Sequence, residues 1–130
     1  WGLLMRKDHP LAVKERITPE DVVSLPLILP LREKVHEDIL NWIGRDEKEL
    51  DVPLCYTLLS NAVLLVEGGL GCAFCLDGAL AARSSPELRF IPIYPEKTTS
   101  SVLVWKKNIL FNPATSLFIQ EINMMRAASR

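Results

Sequence analysis

"VEGGLGCAFCLDG", residues 66–78, decides how the chain is read. It joins a glycine cluster, Gly68, Gly69 and Gly71, to a C-x-x-C, Cys72 and Cys75. A dinucleotide-binding loop needs G-x-G-x-x-G after a strand and before a helix. Here the third glycine is missing and the order is reversed, because the apolar "SNAVLLVE", 60–67, reads as a helix that precedes the glycines. A helix carboxyl end is negative and repels phosphate. The G-K-[ST] of a phosphate loop is absent too. The cysteines fare no better as chemistry. A redox pair sets its first thiol at a helix N-terminus, whereas "CAFCLD", 72–77, reads as a strand. Side chains alternate along a strand, so Cys72 and Cys75 face opposite sides of a sheet and cannot share a bond or a metal. The stretch is therefore a structural joint. Gly68 or Gly69 ends the helix in the left-handed region, Gly71 admits a close turn into the strand, and the cysteines are small buried residues.

Working outward, the same alternation of elements extends over the chain. "WGLLMR" is a short strand and "KDHPLAVKER" a polar loop. "ITPEDVVSL" opens a short helix, with Thr18 as N-cap and Pro19 in the first helical position. "PLILP" is a buried strand centred on 27–29. Residues 33–46 place Val35, Ile39, Trp42 and Ile43 on one helix face, with Gly44 near the end. "LDVPLCYTLL" holds a strand over 52–58, centred on 54–57. The helix 60–67 is apolar nearly all round, which predicts cover on both sides. "GALAARSS", 78–85, suits a short helix or turn. "ELRFIPIY", 87–94, and "SSVLVWKK", 100–107, are two further strands. A last helix starts at Asn112 and Pro113 and gathers Ala114, Leu117, Phe118 and Ile122 on one face. Strands alternating with helices predict an α/β fold with an open sheet and helices on its faces.

Composition narrows the function. The chain has 130 residues, 48% hydrophobic and 24% charged, which predicts one globular domain with a sizeable core. Its 15 basic and 16 acidic residues leave a net charge of −1, with no footprint for nucleic acid. No apolar run is long enough for a membrane span, and no secretory signal opens the chain. Three cysteines without framework spacing fit a reduced, cytoplasmic setting. The first residue is Trp1, so the sequence reads as part of a longer protein. There is no nucleophile elbow, metal-ligand spacing or histidine-centred constellation, and Asp77 at a strand end suits a turn; an enzyme is not expected. No cofactor and no metal are expected.

"LLVEGGLGCAFCLDG", 64–78, resembles the helix–glycine–strand segment of the effector-binding domain of LysR-type transcriptional regulators. In order, "GLLMRKDHPLA", "ITPEDVVSLPLILP" and "SSVLVWKKNILFNPATSLFIQEI" are similar to three further segments of that family. Each mostly encodes packing; four in sequence over nearly the whole chain carry the resemblance. It implies a two-lobed fold like type 2 periplasmic binding proteins, with the second lobe plus part of the first. Residues 1–7 would be a crossing strand, about 8–97 the second lobe, and about 98–130 a return to the first. The family's N-terminal winged helix-turn-helix is absent, so DNA would be bound only through that missing domain. The resemblance also implies a small-molecule effector and a homodimer.

Ligands of open α/β sheets bind outside the carboxyl ends of strands. Two junctions qualify: Pro30, Leu31 and Arg32 after one strand, and Thr57, Leu58, Leu59, Ser60 and Asn61 after the next. Both lead into helix N-termini, whose free N–H groups favour anions. The family implies effector contacts at the corresponding junctions. Arg32 places a cation where the helix dipole disfavours one. Either an anionic effector offsets it, or it pairs with Glu33 or faces water. Ser60 is equally an ordinary N-cap, and Thr57 equally a strand end. His9 reads as a loop residue, His36 as solvated on the polar side of its helix, "RDEKELD" as a solvated surface, and Trp42 and Trp105 as packing residues. The apolar helix 60–67 either packs internally or serves the dimer. The alternative function is a solute-binding protein of a transport system with the same fold.

Overall fold

A computed structural model describes residues 1–78 and 85–128. The chain forms two compact units, Trp1–Thr99 and Ser100–Arg130.

The first unit is built on a five-stranded sheet. Its strands are β1 (Gly2–Arg6), β2 (Pro26–Pro30), β3 (Asp51–Tyr56), β4 (Cys72–Cys75) and β5 (Leu88–Pro92), in the order β3-β2-β4-β1-β5. β2 runs parallel to β3 and β4, with Pro30 opposite Tyr56 and Ile28 opposite Ala73. β1 is antiparallel to β4 and β5, with Leu3 opposite both Phe74 and Ile91. The helices are α1 (Pro19–Val22), α2 (Glu33–Ile43) and α3 (Leu59–Glu67).

The pleat divides the core in two. Leu3, Met5, Leu27, Leu29, Cys72, Phe74 and Ile91 point to one face, where Val22 of α1 and Ile39 and Ile43 of α2 cover them. Leu4, Ile28, Ala73, Cys75 and Leu88 point to the other, under Ala62, Val63 and Val66 of α3. Cys72 and Cys75 thus lie in different cores, as strand alternation requires. Both are free thiols, and burial pushes them up to about 11 and about 12 respectively. Trp42 meets Phe74 edge-on at 5.7 Å and donates its Nε1–H to the Pro95 carbonyl at 2.8 Å.

Caps mark the boundaries. The Asp21 carboxylate accepts from the Thr18 amide at 2.9 Å, from the Thr18 hydroxyl at 3.1 Å and from Lys14 Nζ at 2.5 Å, so α1 starts where expected. α2 stops at Gly44, whose φ of +71° is left-handed, three residues short of the expected end. α3 passes through Gly68 and turns at Gly69, φ +76°. A Cβ on Gly71 would stand 2.5 Å from the Pro26 carbonyl oxygen, so β4 enters beside β2 only because residue 71 has no side chain. The Arg6 guanidinium pairs with Asp8 and donates to the Glu67 carbonyl at 3.1 Å, a cation at the negative end of α3.

Two expectations need correction. The helix 60–67 is covered on one side within its unit: Ala62, Val63 and Val66 are buried against the sheet, while Leu64 is 49% exposed. His9 is a loop residue as expected, and its Nδ1 accepts from the Leu11 amide to open a single 3-10 turn, Pro10–Val13. Residues 100–107 form no strand in the second unit. A strand exists by pairing, and no described residue offers a ladder to this segment; Val102 and Val104 are each 79% exposed. That unit does contain the expected helix, α4 (Pro113–Ala128), with Asn112 Oδ1 accepting from the Thr115 amide at 2.8 Å. Its Leu117 and Phe118 are exposed, and Trp105 meets Phe111 edge-on at 6.1 Å. The expected helix or turn at 78–85 lies outside the described residues apart from its ends.

Candidate functional site

β2 and β3 are parallel neighbours, so their carboxyl ends emerge side by side, in register at Pro30 and Tyr56. The helix after β2 goes to one face of the sheet and the helix after β3 to the other. Connections that diverge in this way leave a crevice at the strand ends, the usual place for a ligand in an open α/β sheet. Both sequence-derived junctions fall at these adjacent strand ends.

Pro30 is the buried last residue of β2. The Leu31 amide donates to the Tyr56 carbonyl at 2.8 Å and stitches the two junctions together. Arg32 takes the N-cap position of α2 in extended geometry, and its exposed side chain makes no cap bond. Of the alternatives left open, pairing with Glu33 does not form; the exposed side chain has no carboxylate within ion-pair distance among the described residues, which agrees with the reading that it faces water. On the β3 side, Leu58 is the N-cap of α3. Ser60 is therefore not the cap; it sits inside the first turn, because β3 ends at Tyr56 and the helix begins one residue before the hydroxyl. An apolar cap offers no acceptor, so no side chain covers the amides of Leu59 and Ser60.

Thr57 and Asn61 also line a shallow cavity of about 410 Å³ together with Cys55, Tyr56, Leu64 and Leu65. Pro30, Leu31 and Arg32 do not border it. The Tyr56 hydroxyl reaches from β3 to donate to the Phe74 carbonyl at 2.7 Å, beyond the point where β2, ending in a proline without N–H, can extend the ladder to β4. Burial raises the Tyr56 phenol well above its ordinary range. Burial, then the nearby Glu47, raises the Cys55 thiol.

Sequence reasoning missed His36. Its side chain is only 15% exposed rather than solvated. Nδ1 lies 3.1 Å from the Pro30 carbonyl oxygen and Nε2 lies 3.2 Å from Glu47 Oε2. The available signal was position: one turn into a helix that follows a proline-ended strand, a side chain can fold back over the strand's last carbonyl. Among the described residues no group of three or more His, Cys, Asp or Glu side chains could hold a metal, and no helix is long and apolar enough to cross a membrane.

Comparison with known proteins agrees with this architecture. The chain aligns over 92% of its length with HinK, a LysR family transcriptional regulator from Pseudomonas aeruginosa, at 14% identity and a TM-score of 0.69, covering 42% of that chain. The C-terminal domain of a probable LysR family regulator from Rhodococcus sp. RHA1 aligns over 94% of this chain and 62% of its own, at 18% identity and a TM-score of 0.68. The BenM effector binding domain, solved with its effector benzoate, aligns over 72% of this chain and 44% of its own, at 15% identity and a TM-score of 0.58. The chain therefore spans less than two thirds of each of these solved chains. Among curated protein sequences, none matches. The LysR substrate binding domain model matches residues 1–126. The fold is that of the periplasmic-binding-protein-like LysR substrate-binding domains, and the chain belongs to the LysR substrate binding domain family.

Proposed function

We propose that this domain senses a small anionic effector for a LysR-type transcriptional regulator and has no catalytic role of its own. The carrying observation is the paired strand end. The guanidinium of Arg32, without an ion partner among the described residues, and the first turn of α3, without a side-chain cap, follow adjacent parallel strands, and both favour negative charge. Pro30, Leu31, Arg32 and Thr57 to Asn61 form the effector edge. Residues 1–7 act as a crossing strand, about 8–97 as the second lobe and about 98–130 as the return to the first; the separate compactness of Trp1–Thr99 and Ser100–Arg130 supports that division. The effector binds between lobes with an affinity that differs between their arrangements, and an N-terminal DNA-binding domain reports the difference. The protein acts in the cytoplasm as a homodimer, for which the outer face of α3, with Leu64 exposed, is the favoured contact; a sedimentation experiment finding only monomer at high concentration would remove the dimer.

The test is a thermal-shift and calorimetric screen of small anions, benzoate and inorganic sulfate included, against the full-length regulator and its Arg32→Ala variant. Loss of a charge-assisted hydrogen bond weakens the responding anion by about tenfold or more. Unchanged affinity takes Arg32 out of the site, and no response to any anion sinks the anionic reading.

A further inference from the structure

The Pro30–Leu31 peptide is held at both of its polar atoms. Its N–H donates to the Tyr56 carbonyl at 2.8 Å, and its C=O faces His36 Nδ1 at 3.1 Å. A carbonyl oxygen only accepts, so Nδ1 carries the hydrogen in this contact. The other ring nitrogen, Nε2, faces Glu47 Oε2 at 3.2 Å; that contact is a hydrogen bond, and holds the far side of the ring, when Nε2 carries a hydrogen too. The backbone amide of His36 donates to the Arg32 carbonyl at 2.9 Å. Residues 30 to 32 are thus tied at three backbone points, two of them by His36.

We infer that His36 is a positioning residue of the effector edge: by pinning the Pro30 carbonyl it fixes the peptide from which Leu31 and Arg32 project. Arg32 itself has no ion partner among the described residues, so its direction depends on the backbone that carries it. Without the imidazole, the Pro30–Leu31 peptide keeps only its bond to β3, and Arg32 samples directions that do not face the crevice. Glu47, 51% exposed, acts through the ring and not on the ligand.

The role in ligand binding rests on the effector reading above; the role in loop order does not. Three full-length variants separate the two. His36→Ala removes the ring, His36→Asn keeps an amide N–H where Nδ1 was, and Glu47→Gln keeps the far contact without its charge. Hydrogen exchange of the Leu31 amide should speed up roughly tenfold in His36→Ala, the loss of one net hydrogen bond, with β1 and β4 amides unchanged. His36→Asn should restore most of that protection. Glu47→Gln should fall between Ala and wild type. Benzoate and inorganic sulfate are then titrated into the same proteins; whichever binds wild type should weaken several-fold in His36→Ala and recover in His36→Asn. Leu31 exchange unchanged in His36→Ala, or Asn no better than Ala, overturns the inference. Binding of neither anion to wild type, with the exchange pattern as expected, counts against the effector reading and leaves the positioning role standing.

Discussion

Alanine substitutions at Gly68, Gly69 and Gly71 should have three different outcomes, although the residues lie within four positions of one another. At Gly68 the backbone is right-handed helical, φ −70°, and a Cβ would meet only the Leu64 and Leu65 carbonyls at 3.4 and 3.5 Å. Gly68→Ala should be neutral or stabilise by up to about 0.5 kcal/mol, since alanine loses less entropy on folding. At Gly69 there is open space but φ is +76°. The left-handed penalty of about 1–2 kcal/mol, less an entropic gain of about 0.4–1 kcal/mol, leaves a loss near 1 kcal/mol. Gly71 is limited by space. Its Cβ would stand 2.5 Å from the Pro26 carbonyl oxygen and 3.2 Å from Ile28 Cγ1. Ordinary contact begins near 3.4 Å, so backbone must yield by 0.9 Å (3.4 minus 2.5) beside the Leu27–Cys72 pairing. Overpacking at about 1–3 kcal/mol, plus one weakened ladder bond at about 1 kcal/mol, gives roughly 2–4 kcal/mol. With a urea slope of about 1.5 kcal/mol per molar, the midpoint falls by roughly 1.5–2.5 M for Gly71→Ala and under 1 M for Gly69→Ala. Urea unfolding followed by far-UV circular dichroism reads all three. If Gly71→Ala costs no more than Gly69→Ala, the close approach of β2 and β4 is not what this glycine serves.

Two further expectations concern titrating groups. Burial alone would raise the Asp21 carboxyl, but hydrogen bonds from Lys14 and Thr18 outweigh it and hold it below the usual range. The folded state then binds that proton less readily than the unfolded chain, so the stabilisation is present above about pH 4 and lost as pH falls through the lowered value. Asp21→Asn should cost about 1 kcal/mol at pH 6, and that gap should close as pH falls below the usual carboxylate range in acid–urea titrations. For the thiols, a maleimide or disulfide reagent at pH 7.5 should modify Cys55 in the native chain and all three cysteines after unfolding. Labelling of Cys72 or Cys75 without unfolding would contradict their burial. Their raised values also predict that stability falls as pH rises past the ordinary thiol range, since the unfolded chain releases those protons first.

Much of the fold is legible in the sequence because its signals are local. Thr18 and Pro19, Gly44, Gly69 and Asn112 mark helix ends by backbone chemistry that needs no tertiary partner. The alternation of Cys72 and Cys75 between two cores follows from the pleat alone. What failed depended on distant neighbours. Residues 100–107 have strand composition, but a strand needs a partner ladder. Leu64 looks buried by type and is exposed because α3 turns Ala62, Val63 and Val66 to the sheet instead. Ser60 is the preferred residue for a cap, yet Tyr56 ends β3 early enough for Leu58 to take that place. The adjacency of the β2 and β3 carboxyl ends was legible from element order, whereas the His36 contact with Pro30 and Glu47 joins residues whose closeness only the folded loop creates.

β3 and β4 differ in how much sequence drift they allow. Along β3, exposed and partly buried positions alternate, so every second residue faces solvent and is free to vary at little cost. β4 has four residues, all buried, two in each core. No substitution there is silent: each must suit the α2 side or the α3 side, with Gly71 before it admitting no side chain. Divergence within such a domain should therefore collect on the β3 edge, beside the proposed effector edge, while the glycine-and-cysteine stretch stays recognisable.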